Sequence, residues 1–143
     1  MEAALGLSQI EIKNKIVKER QKVGKEITKV LSEFSNFFTL ASVRPMSEHI
    51  YMLYPIVIKD KRINKEELLL ELEQNNIETR LFFPILNQPI YKDIVGNIEK
   101  NYPIAKMLSD QGFIIGSHPY ISSSDIKYIY SIIKNFLKKK ALI

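Results

Sequence analysis

The chain has no cysteine, few glycines and no long apolar run. Without cysteine, a disulfide framework, a thiol nucleophile and a thiolate metal site are all excluded. No stretch approaches the ~20 apolar residues of a membrane-spanning helix, and the N-terminus lacks the continuous apolar core of a secretory signal. The length of 143 residues predicts one domain with a single core, and the cytoplasm is the expected location.

Histidine and glycine are too sparse for several common kinds of site. His49 and His118 lie far apart and lack neighbours at metal-ligand spacing, so we expect no metal site. Ser117 precedes His118 directly, but adjacent residues rarely form the hydrogen bond of an acyl-transfer pair, and no nucleophile elbow is present. The five scattered glycines form no phosphate-binding loop.

The net charge of +5 raises the possibility of a nucleic-acid partner, but the distribution of charge argues against it. Lysines near the N-terminus alternate with Glu11, Glu19 and Glu26, and a dense basic group occurs only at residues 138–140. A nucleic-acid surface is expected to be dense, of one sign and interleaved with stacking aromatics. We therefore expect neither a nucleic-acid partner nor a membrane partner.

Apolar periodicity predicts a long first helix from about residue 6 to residue 34. Its buried stripe consists of Ile12, Ile16, Val23, Ile27, Val30, Leu31 and Phe34. Gly24 lies inside this helix and costs about 1 kcal/mol relative to alanine. Either close packing or a bend is therefore expected at Gly24.

Capping signals predict three further helices. Asn64 is a suitable N-cap for a helix over residues 64–75, which ends at a pair of asparagines that tolerate left-handed backbone. A second helix has a proline near its first turn and stops at Gly112. The last helix begins after Ser122, with Asp125 completing a capping pattern.

The remaining apolar segments predict a small sheet. Expected strands lie near 39–44, 50–58, 77–83 and 112–115. Pro55 cannot donate to a sheet, which predicts an edge or a bulge, and residues 84–91 are expected to form an ordered loop. The predicted fold class is α+β, with a small, mostly antiparallel sheet packed against helices and preceded by the long first helix.

Glu78 and Arg80 share one face of the third predicted strand. One interpretation is an ion pair at a sheet edge, which contributes less than about 1 kcal/mol. The other is that the guanidinium group of Arg80 binds a phosphate or carboxylate at the rim of a cleft. Residue chemistry alone favours the first interpretation.

Four segments carry a resemblance to a known family. They are "MEAALGLSQIE", "HIYMLYPIVI", "IETRLFFPILNQPIYK" and "YPIAKMLSDQGFIIGSHPYISSSDIKYIYSIIKNFL". In this order they resemble the C-terminal part of the DegT/DnrJ/EryC1/StrS family, which are sugar aminotransferases dependent on pyridoxal phosphate (PLP). The "IETR-x-FF" and "S-x-P" patterns are similar to the perosamine-synthase branch, which aminates nucleotide-linked keto-deoxysugars.

The resemblance implies that this chain is the smaller domain of a two-domain enzyme of the fold type I aminotransferase class. Residues 1–34 would form a connecting helix and residues 35–143 the small domain. The larger domain, which in the family carries the Schiff-base lysine and grips the cofactor, has no counterpart here. The resemblance therefore implies PLP for the whole enzyme, none bound to this chain alone, and no catalytic residue within it. The implied partners are a sugar nucleotide, an amino donor and a second copy in a homodimer.

The resemblance also suggests substrate-binding residues. In the family, the loop matching residues 84–91 lies at the mouth of the active site. Arg80, Phe82, Phe83 and Asn87 would then form part of the wall that contacts the sugar nucleotide. The family often has a histidine near the position of Asn87. The alternative role for Phe82 and Phe83 is core packing, and at least one of them is expected in the core, since strand alternation sends them to opposite faces.

Two alternatives differ from an aminotransferase fragment. A related branch replaces the catalytic lysine with histidine and removes a sugar hydroxyl, and the discriminating residue lies outside this chain. A free-standing binding or assembly module without catalysis is the other alternative. The apolar residues Leu5, Leu7 and Ile10 need a partner surface, which predicts self-association or poor behaviour of the isolated chain.

Overall fold

The computed structural model describes residues 2–82 and 88–143, with only the backbone described at residue 2. Its centre is a four-stranded sheet whose spatial order is β1-β2-β4-β3, with antiparallel pairing throughout. The strands are β1 (Phe38–Leu40), β2 (Tyr54–Ile58), β3 (Thr79–Leu81) and β4 (Gly112–Ile115). The α+β class is thus confirmed, although three of the strands are shorter than predicted.

Five α-helices accompany the sheet in the described part of the chain. They are α1 (Glu2–Leu31), α2 (Lys65–Gln74), α3 (Pro89–Val95), α4 (Pro103–Gln111) and α5 (Ser123–Lys139). Short 3-10 turns follow α1 and precede α4. The predicted caps are present, because Asn64 accepts a hydrogen bond from the N–H of Glu67 and Ser122 forms a capping box with Asp125.

The core lies between one face of the sheet and the helices α1, α2 and α5. The inward residues of β2 alternate with outward ones, as expected for a strand packed on one side. Only the C-terminal half of α1 joins this core, through Val23, Ile27 and Leu31. The outer face of the sheet is partly covered by α4, which contacts β2 and β4.

Gly24 is the point of closest approach between α1 and the segment that enters β2. A Cβ built on Gly24 would lie 2.2 Å from Cγ of Tyr51, so the tyrosine ring occupies the space of the missing side chain. Tyr51 itself has a φ of 55°, a left-handed conformation that costs about 1 kcal/mol or more for a residue of this size. Close packing, the first of the two expectations at Gly24, is confirmed.

Pro55 lies in β2, which is an inner strand of the sheet. The pairing of β2 with β1 ends at Leu40 and Ile56, so Pro55 is paired only with Ile114 of β4. The position of Pro55 is therefore a local edge, as expected for a residue that cannot donate a hydrogen bond. The predicted strand start near residue 50 is wrong, because the left-handed backbone at Tyr51 delays β2 until Tyr54.

The segment after β3 differs from the predicted loop. Residues 84–87, the first half of the predicted loop, lie outside the described residues. Residues 89–91, expected as irregular loop, instead form the first turn of α3, with Pro89 at a position where its missing N–H costs nothing. Periodicity missed this helix because it is only seven residues long and buries none of its side chains.

Candidate functional site

A concave pocket lies where α1, the end of β4 and the start of β3 meet. It is lined by Arg20, Met52, Leu53, Glu78, Arg80, Ile114, Ile115, Gly116, Ser117 and His118, and encloses about 180 Å³. The site is positioned by three separate elements of the fold, so each wall is held by a different part of the core. Two guanidinium groups and one carboxylate give the lining a positive balance.

Arg80 lies on β3, at the outer edge of the sheet. Its Nε and Nη2 both donate to Oε1 of Glu78, at 3.1 and 3.0 Å. Both side chains are about two thirds or more exposed, so the pair contributes less than about 1 kcal/mol. The ion-pair interpretation is confirmed, and the same guanidinium group also lines the pocket, as the second interpretation requires.

Arg20 also lines the pocket and joins three segments of the fold. Its Nη1 lies 3.1 Å from the carbonyl oxygen of Met52, 3.4 Å from that of Ser117 and 3.5 Å from that of Tyr51. Carbonyl groups at the ends of irregular segments lack partners in the sheet, and a guanidinium nitrogen satisfies them. Arg20 therefore fixes the segment before β2 and the segment after β4 to α1.

Ser117 and His118 line the pocket without forming a catalytic pair. Ser117 is buried, and its hydroxyl donates its proton to the carbonyl oxygen of Tyr51. Nδ1 of His118 accepts a hydrogen bond from the backbone N–H of Tyr120 at 3.3 Å. Because each group is engaged elsewhere, the arrangement does not provide a serine activated by histidine.

Phe82 follows β3 and packs against β4. A Cβ built on Gly112 would lie 2.5 Å from Cδ2 of Phe82, so the ring lies directly over this glycine. The half-buried ring is not among the residues that line the pocket of Arg80. Of the four predicted wall residues, Phe83 and Asn87 lie outside the described residues, and the structure leaves the roles of all four untested.

Sequence reasoning did not include Arg20 among the site residues, and it considered His118 only for chemistry that it rejected. One signal was available for Arg20, because it is the single arginine among the many lysines of α1. Arginine is favoured over lysine where several acceptors must be bound in a fixed geometry. What the sequence could not show is that α1 and β3, sixty residues apart, meet at one pocket.

The described residues do not provide a setting for the Schiff-base lysine of a PLP enzyme. Such a lysine needs a lowered pKa, which burial or a neighbouring cation supplies. Hydrogen bonds from Lys134 to Tyr130 and Glu33, and from Lys106 to Asp110, instead raise the pKa of both lysines. No described lysine is buried, and among residues 2–82 and 88–143 no group of three acidic or histidine side chains could hold a metal ion.

Solved structures share the fold of this chain, and a sequence model identifies its family. The chain superposes on Spr1654 of Streptococcus pneumoniae, described as a sugar aminotransferase in its PMP form, with a TM-score of 0.84 at 17% identity. The match covers 96% of this chain and 35% of that one. The sequence model of the DegT/DnrJ/EryC1/StrS aminotransferase family matches residues 1–134. The chain therefore belongs to this family, as the resemblance of its motifs implied.

Two curated relatives match nearly the whole chain. The lipopolysaccharide biosynthesis protein RfbH of Salmonella typhimurium is 25% identical over 139 residues, which cover 95% of this chain and 32% of that protein. GDP-perosamine synthase of Vibrio cholerae is 27% identical over 137 residues, covering 94% and 36% respectively. The chain thus spans about a third of the length of these relatives. No helix in the described part of the chain is long and apolar enough to cross a membrane, and the cytoplasmic location stays a prediction.

Proposed function

We propose that this chain is the small domain of a PLP-dependent aminotransferase that acts on a nucleotide-linked keto-deoxysugar. In this proposal residues 1–34 form the connecting helix, residues 35–143 form the domain, and a larger domain supplies the cofactor and the Schiff-base lysine. The family membership and the similarity to GDP-perosamine synthase support the reaction class. The chain alone neither binds PLP nor catalyses transamination.

The observation that carries the proposal is that the rest of the domain does not cover the N-terminal half of α1. Leu5, Ile12, Ile16, Val23 and Ile27 follow one another at spacings of seven and four, which places them on one face of the helix. The last two are buried in the core, whereas Leu5 is 65% and Ile12 45% exposed. The core-facing stripe thus continues beyond the body of the domain, where a larger domain would cover it.

A second apolar side of α1 supports the proposed homodimer. Leu7 and Ile10 are 64% and 60% exposed and point away from the stripe of Leu5, because successive residues turn by about 100°. A helix that is apolar on more than one side is stable when protein surrounds it. The larger domain on one side and a second copy on the other would satisfy this requirement.

Within this proposal the pocket of Arg80 forms part of the substrate cleft, with Phe82, Phe83 and Asn87 extending its wall. The positive balance of the lining suits a substrate that carries phosphate groups, such as a sugar nucleotide. Phe82 would contribute by fixing the end of β3 against β4, because its own ring packs on Gly112. None of these residues takes a catalytic role.

A chimera tests the proposed function. The C-terminal third of Vibrio cholerae GDP-perosamine synthase is replaced by this chain, joined within the first turns of α1, and synthesis of GDP-perosamine is assayed. The proposal predicts retained PLP and measurable product, with product reduced about tenfold by Arg80→Gln and unchanged by Arg62→Gln. Arg62 is a matched control, since it also pairs with a carboxylate two residues away and is equally exposed.

The two alternatives predict different outcomes for the same chimera. If the chain is part of a sugar dehydratase, the chimera retains PLP and folds as a dimer but makes little GDP-perosamine, and a dehydratase scaffold restores activity instead. If the chain is a free-standing module, neither scaffold is active and the chimera does not retain cofactor. That last result would refute the proposal.

A further inference from the structure

We propose that the pocket between Arg20 and Arg80 is a binding site for one oxyanionic group, a phosphate or a carboxylate. The pocket itself is a property of this chain. Assigning the group to a sugar nucleotide or to an amino donor rests on the proposed function. The inference adds Arg20 and His118 to the residues that recognise the ligand.

Arg20 has donors available beyond those that hold the fold. Its three carbonyl contacts all involve Nη1, and no described residue accepts a hydrogen bond from its Nε or Nη2. Nε and Nη2 are the pair of donors that a guanidinium group offers to two oxygens of a carboxylate or phosphate. Because Nη1 is anchored, the orientation of the remaining donors is fixed before a ligand arrives.

Arg80 provides a second cation whose present partner is replaceable. The Glu78 carboxylate that it binds is 74% exposed, so solvent and a competing anion can both reach the pair. Glu78 also lines the pocket, where its charge opposes an incoming anion. An oxyanion between the two arginines would take the place of this carboxylate on Arg80.

His118 supplies a further donor to the same pocket. Its Nδ1 accepts the N–H of Tyr120, so the ring N–H of His118 lies on Nε2. This Nε2–H group can donate a hydrogen bond to an oxyanion. Arg20, Arg80 and His118 come from three different elements, so a ligand that contacts all three is recognised by the tertiary fold.

The size of the pocket limits the ligand to a single small group. Its volume of about 180 Å³ is close to that of a cavity that accepts benzene, and well below the 300–1,000 Å³ of sites for whole cofactors or drug-sized ligands. A phosphate or carboxylate group fits this space, whereas a complete sugar nucleotide does not. The rest of such a ligand would extend out of the open side.

Binding of two small anions to the 143-residue chain tests the inference. Inorganic phosphate and glutamate are titrated separately at constant ionic strength, and binding is followed by NMR of the arginine side-chain N–H groups. We expect saturable binding of at least one anion with shifts at Arg20 and Arg80. Preference for phosphate assigns the pocket to the sugar nucleotide, and preference for glutamate assigns it to the amino donor.

Variants distinguish a specific binding site from non-specific attraction of anions to a basic protein. Arg80→Gln is expected to weaken binding about tenfold, since it removes charge-assisted hydrogen bonds. Glu78→Gln is expected to strengthen binding several-fold, because it removes the competing carboxylate. Arg62→Gln should leave binding unchanged, and Arg20→Lys should weaken it without loss of the folded spectrum.

Absence of saturable binding to the wild-type chain, or equal loss in Arg62→Gln and Arg80→Gln, would overturn the inference. Its failure can be told apart from failure of the proposed function. If the chimera is active but the chain binds no anion, only the assignment of this pocket is contradicted. If the chain binds an anion but all chimeras are inactive, the pocket assignment stands and the proposed reaction is contradicted.

Discussion

At the scale of single residues, this fold depends on contacts that hold irregular backbone to regular elements. The ring of Tyr51 fills the space over Gly24. The backbone carbonyl oxygen of Tyr51 accepts hydrogen bonds from Ser117 and Arg20. The amide N–H of Tyr51 donates to Nδ1 of His49. Together these contacts hold a tyrosine in a left-handed conformation that its side chain disfavours.

Replacing Gly24 with alanine tests this close approach. In an exposed helix, replacing glycine with alanine stabilises the folded protein by about 1 kcal/mol. Here the new methyl group overlaps the Tyr51 ring, and such overpacking destabilises the folded protein by about 1–3 kcal/mol. We expect a net loss of stability, measured as a lower midpoint in urea unfolding. Gly6→Ala in the same helix is the control, since nothing lies within 4 Å of a Cβ there, and it should be neutral or stabilising. Equal effects of the two changes would contradict the packing at Gly24.

The sequence predicted residues whose role depends on local chemistry more successfully than residues whose role depends on distant neighbours. The caps at Asn64 and Ser122 follow from spacing within a few positions, and both are present. Gly24 stood out because glycine is costly within a helix. The local signal at Arg20, the single arginine of α1, did not reveal its partners at residues 51, 52 and 117, because only the tertiary fold brings them together.

At the scale of elements, helices were predicted more accurately than strands. Both bounds of α2, the end of α4 and the start of α5 lie within about two residues of expectation, because each has a start or stop signal in the sequence. The lengths of β1, β2 and β3 were overestimated, because an apolar run continues past the point where pairing ends, whereas β4 has the predicted bounds. Tyr51 is apolar and buried yet lies outside β2, since burial alone does not require a strand.

The contact between α5 and the 3-10 turn that follows α1 gives a prediction about pH. Tyr130 and Lys134 of α5 both hydrogen-bond to the carboxylate of Glu33, and these bonds lower the pKa of Glu33 below its ordinary value. A lowered pKa contributes stability that is present above the unfolded-state pKa of about 4.5 and is lost as pH falls through the folded-state pKa. Urea unfolding should therefore show that Glu33→Gln destabilises at pH 7.

The difference between Glu33→Gln and the wild-type chain should shrink as the pH is lowered from 5 to below the folded-state pKa. Asp60 offers a comparison, because Arg62 lowers the pKa of its carboxyl to about 2, so its contribution persists to lower pH. A difference for Glu33→Gln that is constant with pH would contradict the role of the ionised carboxylate.

At the scale of the whole molecule, the sequence and the structure agree that the chain leaves apolar surface uncovered. The N-terminal half of α1 exposes Leu5, Leu7, Ile10 and Ile12. Periodicity predicted the helix, and only the structure shows where the body of the domain stops covering it. Since the chain spans about a third of its curated relatives, the remaining length of such proteins could cover this surface.

The uncovered surface predicts association of the isolated chain. Sedimentation velocity should show a concentration-dependent shift to dimers or larger species, because burial of each leucine or isoleucine side chain contributes about 1.5–3 kcal/mol. Leu7→Gln together with Ile10→Gln should raise the dissociation constant by about tenfold or more. Leu70→Gln, which changes a similarly exposed leucine on α2, is the control and should have no effect. A monodisperse monomer at all concentrations would contradict the prediction.

Hydrogen exchange along α1 tests most directly whether this domain is built to join a larger one. In the isolated chain, kept monomeric by dilution, amides of residues 5–15 should exchange much faster than those of residues 23–31, which pack in the core. In the chimera with the GDP-perosamine synthase scaffold, residues 5–15 should become as protected as the rest of the helix. Equal protection of both halves in the isolated monomer, or continued fast exchange of residues 5–15 in a folded chimera, would contradict the account.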